Sequence, residues 1–425
     1  MTRAGAKSLL GRGLARPRVL QVGSLYLAMA SSLAIGLVTS VINTRSLGPQ
    51  AYGDLKFIGT LFLFLSTISS LGLFNTGSQV LAELADEGEE RRELVGTLIF
   101  VAGLISGAFI LVAVLFSFFE TRIFANDLQL EIFLFSPMVA LFILQPCIES
   151  ILQGENRIHE LALFRVLPGI LFVVFLLIAA GLHWLSLKTT LTLQLIAFAA
   201  VVYAALHRLR PKYAHLRENT KLLWRANRGY GWYVYLGVLS NVATGYLATF
   251  MISYFLDNTR VGFFSLATTL TMPLATLSGV IGTTYFREFA HSNSIPGRVT
   301  FLTVTIALVT VIIFLVIIRP TVSLVYTEKF IEVASLAGII AFGAALHGIG
   351  DYFNRFLGAH ALGKELLKGA AANGIVNVIR YFVLIKLFGV QGAAVTRVLA
   401  SGTYCAMMVF YYVKFRARVR LQMSP

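Results

Sequence analysis

Charged residues are scarce in this chain. Asp, Glu, Lys and Arg make up 13% of its 425 residues, against about 25% in an ordinary soluble domain, so its surface is not that of a protein bathed in water on all sides. Cysteine is scarcer still. Cys147 and Cys405 stand alone within apolar runs, which excludes a disulfide framework and leaves no metal-ligand spacing. The phosphate-cradling pattern G-x-x-x-x-G-K-[ST] is missing, and so is H-E-x-x-H; nothing points to ATP hydrolysis by a P-loop or to zinc hydrolysis on a helix.

What fills the chain instead is hydrophobic: 57% of the residues, Phe alone 33 times. Apolar stretches of about 20 residues recur, the length at which a helix crosses a hydrocarbon core about 30 Å thick. Runs such as LFVVFLLIAAG lack the two-residue alternation of a barrel strand. The expected fold is therefore an all-α polytopic membrane protein of about twelve spans. They fall near 20–43, 55–76, 94–117, 129–152, 163–182, 186–206, 232–253, 262–285, 299–318, 333–353, 369–388 and 392–413. The expected organisation is a basic N-terminus at 1–19, a six-helix bundle at 20–206, a basic amphipathic linker at 207–231, a second six-helix bundle at 232–413 and a tail at 414–425. The first apolar run is long and has no A-x-A-like cleavage site, so it reads as an uncleaved span.

A formal charge of +15 raises nucleic acid as a partner, but the placement of the charge argues against it. Arg3, Lys7, Arg12, Arg16 and Arg18 precede the first span; Arg208, Arg210, Lys212, Arg217, Lys221, Arg225 and Arg228 lie in the linker; Lys414, Arg416, Arg418 and Arg420 follow the last span. All fall on one side of the membrane, and the positive-inside rule makes that side, with both termini, cytoplasmic. Attraction to the anionic lipid of the bilayer is a secondary use of the same charge, and no nucleic-acid partner is expected. Trp224, Tyr230, Trp232 and Tyr233 suit an interfacial belt, and Tyr52 a place at headgroup depth.

Transporters are often built from two related halves. Gly53 in AYGDL and Gly262 in RVGFFSL each open an even-numbered span beyond a turn, and Gly154 and Gly358 each follow the fourth span of a half. These echoes suggest parallel repeats about an axis along the membrane normal. Gly48 and Pro49 are expected to break the first helix and set a tight turn, with Gly53 allowing close approach where the second begins.

The stretch RSLGPQAYGDLKFIGTLFLFLSTISSLGLFNTGSQVLAEL resembles the N-terminal signature of bacterial polysaccharide flippases. These belong to the multidrug, oligosaccharidyl-lipid and polysaccharide exporter superfamily. VGFFSLATTLTMPLATLSGVIGTTYFREFA resembles the family's eighth span and GAAANGIVNVIRYFVLIKLFGVQGAAV its eleventh and twelfth. The resemblance implies two six-helix bundles around a central cavity. It implies movement of a polyprenyl-(pyro)phosphate-linked oligosaccharide from the cytoplasmic to the outer leaflet of a bacterial inner membrane, for surface polymers such as O-antigen or exopolysaccharide. Partners would be that lipid-linked substrate and the glycan polymerase or glycosyltransferases of its pathway.

Ionisable groups within spans cost about 2.5–3.5 kcal/mol on insertion scales and so face protein or water. Four stand out: Glu149, Asp351, Arg380 and Arg397. Asn373, Asn377 and Arg380 share one face of the eleventh span, and Arg397, Ser401 and Tyr404 one face of the twelfth. Arg binds phosphate through its planar fork, so Arg380, Arg397, Asn377 and Asn373 are the candidate substrate-binding residues, with Arg45 at a cavity mouth. The competing reading makes Arg380 and Arg397 structural partners of Asp351 or Glu149. Gln145 and Glu149 are four apart beside Pro137 and Pro146, and His347, Asp351 and Arg355 follow the same interval; Glu149 and Asp351 are candidates for H+ or Na+ coupling, with helix-end neutralisation as the plainer account. No cofactor, metal site or catalytic residue is expected. An ion-coupled multidrug exporter of the same superfamily is the closer alternative, although its cationic substrates would favour an acidic cavity. A membrane glycan polymerase or ligase would carry a large outside loop, and the outside loops here are short.

Overall fold

The computed structural model describes residues 4–84, 88–229, 231–360 and 363–423. Among these the chain is helical, with no strand. Eight helices are long and apolar enough to cross a membrane, nine when the bent pair Gln129–Phe135 and Met138–Gly154 is taken as one span. Two of the eight are double. Gly48 (φ 75°, ψ 177°) interrupts Ala4–Ser69, and Gly389 (φ 60°, ψ −145°) interrupts Gly363–Met423; both lie in backbone territory that side-chain-bearing residues avoid. Gly231–Phe255, 25 residues without a charge, completes twelve spans among the described residues.

We label them in chain order: α1 4–47, α2 49–69, α3 Glu89–Phe124, α4 129–154, α5 Ile158–Gly181, α6 Leu187–Leu209, α7 Gly231–Phe255, α8 Asn258–Thr284, α9 Gly297–Thr321, α10 Glu332–Ala359, α11 363–388 and α12 390–423. The helix starts follow ordinary capping chemistry. Ser186 accepts from the Thr189 N–H at the head of α6, and Asp257 from the Arg260 N–H at the head of α8. Pro137 sits at the 46° bend of α4, whereas Pro146 and Pro273 lie inside helices that continue past them.

The helices form two compact units that cut across chain order. Unit 1 comprises Met1–Ile42, Leu65–Phe118 and Leu130–Tyr235. In it the short helix Leu73–Glu83 packs on α4, where Gly154 lets the Ser78 backbone come close. An amphipathic helix, Leu216–Gly229, buries Leu223 and Asn227 and turns its basic residues outward. Asn227 fastens it to a second break in the membrane helices: its amide donates to the Leu71 carbonyl at 3.0 Å and receives the Thr76 hydroxyl at 2.9 Å, beside Gly72 at φ 78°. Trp224 and Trp232 are exposed, as an interfacial belt requires. Tyr230 lies outside the described residues, as does the Tyr233 side chain.

Unit 2 comprises Asn43–Phe64, Phe119–Gln129 and Leu236–Pro425. Its most enclosed span is α10, 67% buried over its apolar window. Small residues make that enclosure possible: Gly348 meets Ala275 and Ser278 of α8, while Gly343 and Gly350 meet Val398 and Tyr404 of α12. Gly53 and Gly262, paired by their sequence context, lie against each other here. Gly154 and Gly358 show no such kinship, since Gly358 faces open space. Tyr52 departs from expectation. It is fully buried in protein, with its ring edge-on to Phe330 at 6.0 Å.

Candidate functional site

The polar residues of the C-terminal spans gather on α10, α11 and α12 within unit 2. The Asp351 carboxylate accepts the Tyr404 hydroxyl at 2.8 Å, and that hydroxyl accepts the Asn354 amide at 2.7 Å. His347, one turn before Asp351, stacks on the Tyr404 ring with centroids 4.9 Å apart. The chain thus satisfies a membrane carboxylate with a phenol, not with a cation.

Among the described residues the two arginines have no carboxylate partner. Arg380 of α11, half-buried, donates from Nη1 to the Thr403 hydroxyl of α12 at 3.2 Å. Arg397, also half-buried, sits within electrostatic range of His347 and Tyr381. Asn377, one turn before Arg380, is buried with its Oδ1 lacking a hydrogen-bond partner, so α11 carries an unsatisfied amide and a guanidinium on one face. The Asn373 side chain lies outside the described residues.

The remaining candidates are engaged elsewhere. Arg45 donates from Nε to the Val325 carbonyl and from Nη2 to the Leu324 carbonyl, each at 2.7 Å; it caps the π-helical turn Val322–Tyr326 that follows α9. Glu149, in unit 1, accepts Arg165 Nε at 2.8 Å and the Gln145 amide at 3.2 Å. A further ionic cluster in unit 1 links Arg91 to Glu155, and Arg157 to both Glu155 and Glu160.

Two residues of this polar group carry little signal in the sequence. Thr403 carries no signal beyond its spacing from Arg380, and Asn354 none at all, since their partners are set by helix packing.

No curated protein matches the sequence. Among solved structures the inward-closed lipid II flippase MurJ is 15% identical with a TM-score of 0.73, over 93% of this chain and 90% of that one. An inward-facing multidrug resistance transporter of the MATE family and MOP superfamily is 13% identical with a TM-score of 0.73, over 92% and 96%. The MATE multidrug transporter DinF-BH is 15% identical with a TM-score of 0.66, over 93% and 94%. At these identities the likeness is one of fold alone. The family is given by sequence: residues 20–286 match the model for polysaccharide biosynthesis proteins, and the chain belongs to that family.

Proposed function

We propose that the chain is a flippase for polyprenyl-(pyro)phosphate-linked oligosaccharide, carrying it from the cytoplasmic to the outer leaflet of a bacterial inner membrane by alternating access. The observation that carries this reading is the pair Arg380 and Arg397, held within membrane helices without a carboxylate partner among the described residues. A cation removed from water is expensive unless an anion meets it. A substrate whose headgroup begins in phosphate brings that anion, and the guanidinium fork matches its oxygens. The buried, unpaired Asn377 carbonyl oxygen then suits a sugar hydroxyl.

The fold does not choose between this and drug export, because the flippase and the multidrug transporter match it equally well. What favours the glycolipid is charge: a cationic drug calls for an anionic receptor, whereas Arg380 and Arg397 offer two cations without a carboxylate partner among the described residues.

The test is reconstitution. Purified protein in proteoliposomes should move a fluorescent polyprenyl-pyrophosphate oligosaccharide between leaflets and leave an organic cation such as tetraphenylphosphonium in place. Transport of the cation without the glycolipid would overturn the proposal.

A further inference from the structure

At one end of unit 2 the segments Asn43–Phe64 and Phe119–Gln129 pack on the second half of the chain, and there a carboxyl group is shut away from water. Glu120, near the end of α3, has 0% exposure. Its Oε2 accepts a single long bond from the Leu128 N–H at 3.4 Å, and its Oε1 has no partner. The Asn126 and Thr121 side chains lie within reach to hydrogen-bond its carboxyl group, and Asp54 of α2 is the charged group that faces it.

The surrounding polar atoms are spoken for. Asp54 accepts Asn258 Nδ2 at 2.7 Å and Gln50 Nε2 at 3.4 Å. Asn258, itself wholly buried, accepts the Ser253 hydroxyl at 2.7 Å and Asn126 Nδ2 at 3.2 Å. The same Asn126 nitrogen reaches Ser253 Oγ at 2.9 Å. Phe57 meets Phe124 and Phe250 edge to face nearby, and Phe124 and Phe250 are tilted to each other, with centroids 5.0 to 6.3 Å apart.

Leu128, Asn126 and Thr121 offer an ionised carboxylate some hydrogen bonding here, but it would still be a dehydrated anion with a second carboxylate opposite, and the cost of burial is the larger effect. A metal ion is no remedy, because it needs several free oxygens. The oxygens of Asp54 and Asn258 that the network uses already accept hydrogen bonds, and no group of three His, Cys, Asp or Glu that could hold a metal assembles among the described residues. The ligand this site fits is a proton.

We propose that Glu120 is a proton-binding site that controls the opening of this end of the protein. It holds a proton while the two segments are packed against Asn258 and Ser253, and it ionises once they part and water enters. The proposal rests on the transporter reading: opening would release one proton and closing would take one up, which links substrate movement to proton movement.

The test needs no substrate, so it stands or falls apart from the assignment of the glycolipid. Full-length protein lacking Cys147 and Cys405, in lipid nanodiscs, is spin-labelled at Arg122→Cys and Lys329→Cys, both exposed positions of unit 2, and the inter-label distance is measured across pH. The packed state keeps the proton, so raising the pH should convert short distances to long ones by up to about tenfold per pH unit, the limit for one proton. Glu120→Gln should keep the short distance at every pH. In parallel, infrared difference spectra of the unsubstituted chain should lose a protonated-carboxyl band as the pH rises, a readout that holds even if Glu120→Gln fails to fold. A wild-type distance that ignores pH, a Glu120→Gln response equal to wild type, or absence of the carboxyl band would each overturn the proposal.

Discussion

Gly53 and Gly262 lie backbone to backbone. A methyl group on Gly262 would stand 3.1 Å from both the Cα and the nitrogen of Gly53, and one on Gly53 would run into the Asn258 carbonyl. The two residues that make AYGDL and RVGFFSL look alike are thus the residues that let α2 and α8 touch.

A side chain at Gly53 has nowhere to go, because the obstacle is backbone that no rotamer change can move. Gly53→Ala should cost about 1–3 kcal/mol, the usual penalty of overpacking, and Gly262→Ala somewhat less. Gly59, on the same helix with open space around its Cα, is the control and should tolerate Ala with no loss. Thermal midpoints in detergent will rank the three; equal effects at 53 and 59 would show that helix propensity, not contact, governs α2.

Arg380 separates binding from architecture. Its partner is the neutral Thr403 hydroxyl, so Arg380→Ala leaves no buried anion behind and should keep normal abundance and thermal stability while losing at least about tenfold in flipping rate. Lys should restore part of the rate, since the charge survives and the fork does not. Thr403→Ala should remove about 0.5–1.5 kcal/mol of stability at most. Misinsertion of Arg380→Ala would instead identify a structural clamp.

Glu149 and Arg165 pair with each other at 2.8 Å, so the carboxylate already has a structural partner and need take no part in coupling. Glu149→Gln should therefore leave transport near wild type. Abolished transport in a well-folded Glu149→Gln protein would identify that carboxylate as a coupling group.

At the membrane surface His215 bonds Glu93 through Nδ1 at 2.9 Å. That hydrogen bond, with the charges of Glu93 and Glu218, raises the histidine above its ordinary pKa. A raised folded-state value means that the contact helps folding in full below the ordinary histidine range and fades as the pH climbs through the higher value. Titration of the His215 ring by NMR should show the upward displacement, and Glu93→Gln should bring most of it back. An unchanged titration in Glu93→Gln would remove the pair from the account.

The spans were legible because hydrocarbon thickness imposes a length that composition reveals. Their ends were not. An expected boundary at 117 placed Glu120 in a loop, whereas α3 runs on to Phe124, and a carboxylate that should have stood beside Glu149 and Asp351 among the membrane acids was passed over. Helical spacing aligned Arg397, Ser401 and Tyr404 and also Asn377 with Arg380. It could not say that Asp351 would turn to a phenol 53 positions away, because that choice is made by the glycines that bring α10 and α12 together.

Gly48 and Gly389 each join two membrane helices through one non-helical residue. A connector that short has no slack. Within unit 2, α11 and α12 cannot part lengthwise where they meet at Gly389, and the freedom left there is a swing about a single pair of dihedral angles. Arg380 on α11 and Arg397 on α12 are therefore carried by two helices that share one joint at Gly389.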